Sequence, residues 1–518
     1  MKHISTLSIA VLLVGCSSNL PSTSDEDLRR SVVEVVEREL DEARRHPTRL
    51  LTERETVDLG IAPQFMPELL EMGGPSAIAN EPLEPGDDLF GGPAETSEIS
   101  LEHAIRTTIE RNLELEFARL TPAISESQVV AAQAAFDWVF FSNLEWNIVD
   151  QPRQSTTFSG FSTGGNTTEA QNVASTTGLR RQLSSGGAFT IQNAITYRDD
   201  SSNGTDLQPD PSWTLGITAQ FDQPLLRDFG SDVALAQVRL AQNAERSDVH
   251  GLKAQLITTV TNVERAYWNL YIAHRSLLIN QRLLKMGIET RQKLIGRRPI
   301  DANDAQIADA TARIESRRAN VLRSQRALRQ ASRQLKLLMN DPSLPIGEGI
   351  ILVPSNEALD LAIEFSLLDS IGKAVQSRPE VHQAILSIDD TMIRYIVANN
   401  QRLPQLDLRM QAQFNELNDS LSEPYKDIVE TNFVDTLIGL FFEQPVGNRA
   451  AEALMVQRRL ERMQAVTSYA NTIRQIVAEV TNALDDVVTN YTLIEQSRAT
   501  RLAAAEVLRV LRVENEQR

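Results

Sequence analysis

Cysteine is nearly missing from this sequence: Cys16 is the only one in 518 residues. Disulfide frameworks and multi-thiolate metal centres within the chain are therefore excluded. Histidine is also sparse, with six residues scattered at His3, His46, His103, His250, His274 and His382. There is no His-Glu-x-x-His, no Gly-x-Ser-x-Gly and no phosphate-binding Gly-rich loop. The doublets Asp389-Asp390 and Asp485-Asp486 do not make catalytic pairs on helices, because adjacent helical residues point apart. The sequence thus offers no enzyme chemistry, cofactor or metal site to assign. Aromatics make up only 5% of the chain, and proline is absent from Leu225 to Arg298 and again from Val446 to the end. What is present, 42% hydrophobic and 23% charged residues, suits long helices better than a compact barrel enzyme.

The N-terminus carries a weakly basic end at Lys2, an apolar run from Leu7 to Val14, and then Leu13-Val14-Gly15-Cys16. The run is too short to span a bilayer permanently and reads as a cleaved export signal, residues 1–15. Leu-Val-Gly-Cys resembles the bacterial lipoprotein signal. That resemblance implies that Cys16 becomes the acylated mature N-terminus, and Ser17 in place of Asp favours the outer membrane. The formal net charge of −18 is unevenly spread: Ser17 to Ser100 holds 19 acidic and 7 basic residues. With its Pro/Gly punctuation, segment 16–99 reads as a solvated acidic linker containing one amphipathic helix, Glu26 to Arg45.

From Ser100 onward the apolar pattern becomes regular. Leu101, Ile105, Ile109, Leu113, Phe117 and Leu120 share a helical face. The period then drops to two. Leu144, Trp146 and Ile148 alternate with polar residues, as do Trp213 to Phe221 and Leu406 to Phe414, which predicts strands with one oily and one wet face. Such strands fit a soluble sandwich or a membrane barrel; the export signal favours the second. After Pro224 the period changes again. Val249, Leu252, Leu256, Val260, Val263, Tyr267 and Leu270 continue to Ile288 in steps of three and four, a heptad seam on a helix expected from Leu225 to Ile295, about 107 Å long. Gly296 to Asp304 should turn the chain, with Gly296 as a left-handed cap and Asp and Asn capping the return. Ile307, Ile314, Val321, Leu328 and Leu335 then recur at strict sevens, bringing the chain back.

The programme restarts after Pro345. "SLLDSIGKAVQSRPEV" from Ser366 matches "SLEHAIRTTIERNLEL" from Ser100, and Val480-Thr-Asn482 matches Val260-Thr-Asn262. Phe221-Asp-Gln223-Pro224 returns as Phe442-Glu-Gln444-Pro445. An internal duplication explains all of these, with residues 100–345 and 346–518 as its halves. Each Phe-acid-Gln-Pro marks where a strand hands over to a long helix, since proline can end a strand and occupy a first helical turn. The second half is expected to lack its return helix: the position matching Gly296 is Glu516, two residues before the last.

These openings, the strand at Leu406, and "QPLL" leading into the heptads resemble the outer-membrane efflux protein family, the TolC-like exit ducts. The resemblance implies a mainly α mixed fold. Antiparallel coiled-coil hairpins would form a periplasmic tube, and transmembrane strands would enter a barrel shared by a homotrimer. It also implies passive export of small molecules or polypeptides, with a periplasmic adaptor and an inner-membrane transporter as partners. The family plan has two strands per half, but "TTGLRRQLSSGGAFTIQNAITY" adds an apparent hairpin turning at Ser184 to Gly187. The basic run from Arg282 to Lys336, 14 basic against 5 acidic residues, lacks the features of nucleic-acid binding. It reads as an exposed helical face or, near the tip residues Gly296, Arg297, Arg298 and Pro299, as an adaptor contact. The alternative function is a periplasmic coiled-coil scaffold lipoprotein that never inserts its strands.

Overall fold

The computed structural model describes residues 25–46, 48–51, 58–73, 78, 82–87, 91–152, 156–159, 161–163, 167–201, 208–299, 303–347, 349–358, 361, 363–421 and 433–517. Its helices are α1 (Asp25–Arg44), α2 (Met66–Gly73), α3 (Leu101–Arg111), α4 (Leu113–Gln133), α5 (Ser231–Ala234), α6 (Ala236–Arg297), α7 (Asp304–Met339), α8 (Leu367–Ser377), α9 (Pro379–Asn400) and α10 (Arg449–Gln517). Its strands are β1 (Arg49–Leu51), β2 (Thr96–Ile99), β3 (Val139–Pro152), β4 (Thr156–Phe158), β5 (Phe161–Thr163), β6 (Thr167–Gln182), β7 (Ala188–Asp200), β8 (Ser212–Pro224), β9 (Ile351–Pro354), β10 (Ile363–Phe365), β11 (Gln405–Asn418) and β12 (Val434–Glu443).

The duplicated openings are duplicated helix boundaries. Ser100 Oγ accepts the His103 N–H to start α3, and Ser366 Oγ accepts the Asp369 N–H to start α8, each closing an orphan donor of a first turn. Asn112 both ends α3 and caps α4, where its side chain accepts from the Leu115 N–H. Its counterpart Arg378 has no such cap, and Pro379 opens α9 instead, where a missing N–H costs no helical hydrogen bond.

The heptad residues meet as their spacing requires. Val263, Tyr267, Leu270 and Leu277 of α6 are buried against Leu328, Leu335 and Met339 of α7. The Tyr267 hydroxyl donates to Asn356 Oδ1 at 2.8 Å and accepts the Asn356 N–H at 3.1 Å, tying the coiled coil to the segment after β9. Three sequence expectations need correction. The long helix starts at Ala236, not Leu225, because the Leu225 and Arg227 N–H groups still donate to Leu406 and Pro404 of the sheet side. Gly230, at φ 102, then turns the chain. Gly296 is no left-handed cap: α6 runs through it to Arg297, and the next start is made by Asn303, whose side chain and Gln306 form a capping box. The return is also shorter than the outward run. At 62 and 36 residues, α6 and α7 measure about 93 and about 54 Å, and α4 and α9 pack beside the remaining length of α6.

Segment 16–99 also departs from a solvated spacer at several points, although many of its described residues are exposed. The expected amphipathic helix exists as α1, and Val35 and Val36 pack on the cluster of Tyr469, Ile473 and Ile476 in α10. β1 pairs with β10, and β2 lies parallel to β9. The Glu84 carbonyl accepts from Gln281 and Gln325, and Arg329 donates to the Asp87 carbonyl. α2 places Leu69, 0% exposed, against Leu502 and Ala505 of α10. The α10 seam, for which no return helix is expected, is covered by α9 and in part by the chain's own N-terminal segment. Truncating Leu69 to Ala should cost about 2–5 kcal/mol of local stability. The expected readout is faster hydrogen exchange in 59–73 and 499–509, with the sheet unchanged.

Candidate functional site

One six-stranded antiparallel sheet has the order β12-β11-β8-β7-β6-β3. Because register fixes which residues share a face, two rows define it. One runs Phe140, Leu179, Ile191, Ala219, Ala412, Thr436; the next, on the opposite face, runs Phe141, Gly178, Gln192, Thr218, Gln413, Asp435. The first face is mainly apolar along β8, β11 and β12 and at the β3 edge, with Leu144 and Trp146 of β3 and Ile438 of β12 71%, 70% and 79% exposed, while β6 places Gln171, Ser175 and Thr177 on it. The second carries amides and charges. Gln411, Gln413, Asn415 and Asp435 hydrogen-bond in series, and Arg409 pairs with Asp222 at 2.6 Å. A cleft of about 690 Å³ opens beside that pair, lined by Asp407, Leu437 and Phe441 among others. The polar face is not uniform: the Phe141 ring lies over Gly178, where a Cβ would come within 2.7 Å of it.

The paired motifs stand at the helix end of this sheet. Phe221 lies in β8 opposite Met410, and Pro224 closes the ladder opposite Asp407. Gln223 reaches sideways to the turn between β6 and β7: Ser185 Oγ donates to Gln223 Oε1 at 2.8 Å, and Gln223 Nε2 donates to the Ser185 carbonyl at 3.3 Å. The Gly230 N–H donates to the same carbonyl. In the second half Phe442, Gln444 and Pro445 are exposed, and β12 is an edge strand. The structure therefore does not bring the two motifs together; it sets them at corresponding ends of two strands.

No protein-family model matches the sequence, and no curated protein matches it. Solved structures do. The crystal structure of CusC, described in terms of folding and transmembrane channel formation, aligns with a TM-score of 0.54 at 17% identity, over 84% of this chain and 87% of that one. A membrane protein from Pseudomonas aeruginosa gives 0.55 at 16%, over 80% and 82%, and the outer-membrane channel OprN gives 0.52 at 13%, over 78% and 84%. The chain has the TolC-like fold of outer-membrane efflux channels. Within that fold the antiparallel sheet matches the barrel part and the long helices match the helical tube.

Other candidates occupy defined places on the TolC-like frame. Gly296, Arg297, Arg298 and Pro299 form an exposed tip between α6 and α7, where Arg298 pairs with Asp304 at 2.9 Å. Higher on α7 the basic run is engaged internally: Arg317 donates to the Leu283 carbonyl, Arg318 pairs with Glu315 and Arg313 with Asp309. Cys16 lies outside the described residues. Asp390 accepts from Asn243 at 2.8 Å, so one member of that doublet ties α9 to α6, while burial and Asp390 raise the Asp389 pKa. Among the described residues no group of three or more His, Cys, Asp or Glu could hold a metal ion. None of their helices is long and apolar enough to cross a membrane.

Sequence reasoning also missed the stacking of His250 of α6 on His382 of α9, with ring centroids 4.6 Å apart. No local signal could have found it, since it joins separate helices. Burial, then His382 and Lys253, hold the His250 imidazole below its ordinary 6.5; burial and Arg275 lower His274 likewise. Between the lowered folded value and 6.5 the unfolded chain binds more protons, so this stability is full above 6.5 and is lost as pH falls. Thermal unfolding should therefore come earlier at about pH 5.5 than at about pH 7.5, with a smaller difference in His250→Gln. A second expectation concerns the turn. Gly186 has φ +91, and a Cβ there would stand 2.1 Å from the Asp228 carbonyl oxygen. Gly186→Ala should displace the β6–β7 turn and admit protease at 183–187.

Proposed function

We propose that the chain is one protomer of an outer-membrane exit duct serving efflux or type I secretion. The observation that supports this reading is the two-faced sheet running directly into helices of roughly 100 Å, with a polar row on one side and an exposed apolar row on the other. In this reading the apolar face meets lipid and the polar face lines water, so solute crosses without a catalytic residue. Three copies complete the barrel. Cys16 carries the acyl chains that add an outer-membrane anchor. A periplasmic adaptor docks at the tip formed by Gly296, Arg297, Arg298 and Pro299, and an inner-membrane transporter supplies the energy.

Native mass and single-channel conductance in planar bilayers test the reading. A conducting trimer is the expected result. A non-conducting monomer would point instead to a coiled-coil scaffold lipoprotein. Cys16→Ser separates the two further: a duct should lose its acyl mass yet stay in the outer-membrane fraction, whereas a scaffold should move to the soluble periplasm. Double reversal, Arg297→Glu with Arg298→Glu, should weaken capture of the adaptor, and undiminished capture would remove the tip assignment.

A further inference from the structure

The hairpin of β6 and β7 is a full member of the sheet. It pairs with β3 from Val139 to Pro152 on one side and with β8 from Ser212 to Asp222 on the other. Its turn is latched to the strand-to-helix junction through Ser185 and Gln223. Deleting the hairpin in thought would leave β3 and β8 antiparallel neighbours, so the hairpin widens the sheet by two strands without changing the direction of any other.

The sheet has two edges, and among the described residues no strand pairs with the outer side of β3 or β12. Both edge strands carry exposed apolar residues: Leu144, Trp146 and Ile148 on β3, Ile438, Leu440 and Phe442 on β12. Open backbone edges are not tolerated in hydrocarbon, where each unpaired N–H and C=O would lack any partner. The edges have what mutual pairing needs. An even number of antiparallel strands makes β12 run opposite to β3, so β12 of one copy can meet β3 of the next as an antiparallel neighbour. At 14 and 10 residues, both reach the roughly 9–11 residues that a tilted span requires.

We infer that the β12 edge of one copy pairs with the β3 edge of the next, and that the β6–β7 hairpin makes the resulting trimeric barrel one of eighteen strands. The occupant of each edge is a second copy of this chain, and the inference rests on the duct reading above. With strands about 4.8 Å apart and tilted about 40°, eighteen strands close at a backbone diameter of about 36 Å, against about 24 Å for twelve. Such a barrel is no sieve. Size selection then falls to the helical tube below it. Register is constrained as well: polar-face positions are odd-numbered in both β3 and β12, so odd residues must oppose odd residues.

The test uses the full chain with cysteine pairs placed along odd positions of 139–147 and 435–443, for example Asn143→Cys with Gly439→Cys, and single-cysteine variants as controls. Within one copy these sites stand at opposite edges, five strand spacings or about 24 Å apart, too far for a disulfide. Oxidation should therefore link different copies, while Leu144→Cys with Gly439→Cys, on opposite faces, should not link. Barrel diameter by electron microscopy is read on the unmodified protein, so the answer does not depend on any variant folding. A trimer about 36 Å across with linked edges is expected. A conducting trimer about 24 Å across, with no edge link, would overturn the inference and leave the duct intact. A non-conducting monomer would overturn the duct reading and the inference with it.

Discussion

Proline at the strand-to-helix junction is the constraint on which the architecture depends. Pro224 has no N–H to offer and is the last residue of β8, opposite Asp407, and the Leu225 and Arg227 N–H groups still reach across to Leu406 and Pro404. Beyond it the backbone can change from a period of two to one of three and a half. Side-chain direction on the two sides of the switch is coupled through the residue count between them. Inserting or deleting one residue between β8 and α6 would leave the paired faces of the strand fixed and rotate the α6 seam relative to them. The second junction solves the same problem with Pro445 followed by Gly447 and Asn448, both at positive φ.

Much of this was legible in the sequence because it is periodic. Ile314, Val321, Leu328 and Leu335 share one face at any starting register, and Leu406 to Phe414 alternate whatever they pack against. The turn at Ser184 to Gly187 was readable too, although only the pairing shows its hairpin joining the sheet. What was not legible lacks a period. β1 and β2 are short strands whose pairing with β10 and β9 rests on backbone groups common to any sequence. Leu69 belongs to a short apolar patch with Phe65, Met66 and Leu70, and composition averaged over the acidic segment 16–99 hides it. Gly296 misled because glycine is permitted at positive φ, not driven there.

The two halves of the duplication have diverged at corresponding points. Gln223 holds Ser185 across the adjoining strand, whereas Gln444 reaches only the Pro445 carbonyl, at 3.5 Å. Identical tetrapeptide logic thus serves an internal latch in one half and an exposed rim in the other. A repeat can keep its motif while the inserted hairpin between β3 and β8 decides what that motif touches.

The parallel pairing of β2 with β9 has a kinetic consequence. Thr96 aligns with Ile351, and the Leu101 N–H donates to Asn356 across 255 residues. Between those points lie α3, α4, six strands of the first half and the entire α6–α7 hairpin. The hairpin forms from contacts close along the chain and can zip quickly, but the β2–β9 stitch must wait for a very long loop to close, a step whose rate falls with sequence separation. Four of the six sheet strands, β3, β6, β7 and β8, lie within that loop, so the stitch closes the first half as a unit. Exported unfolded, the chain would complete its long rods early and fasten their base late.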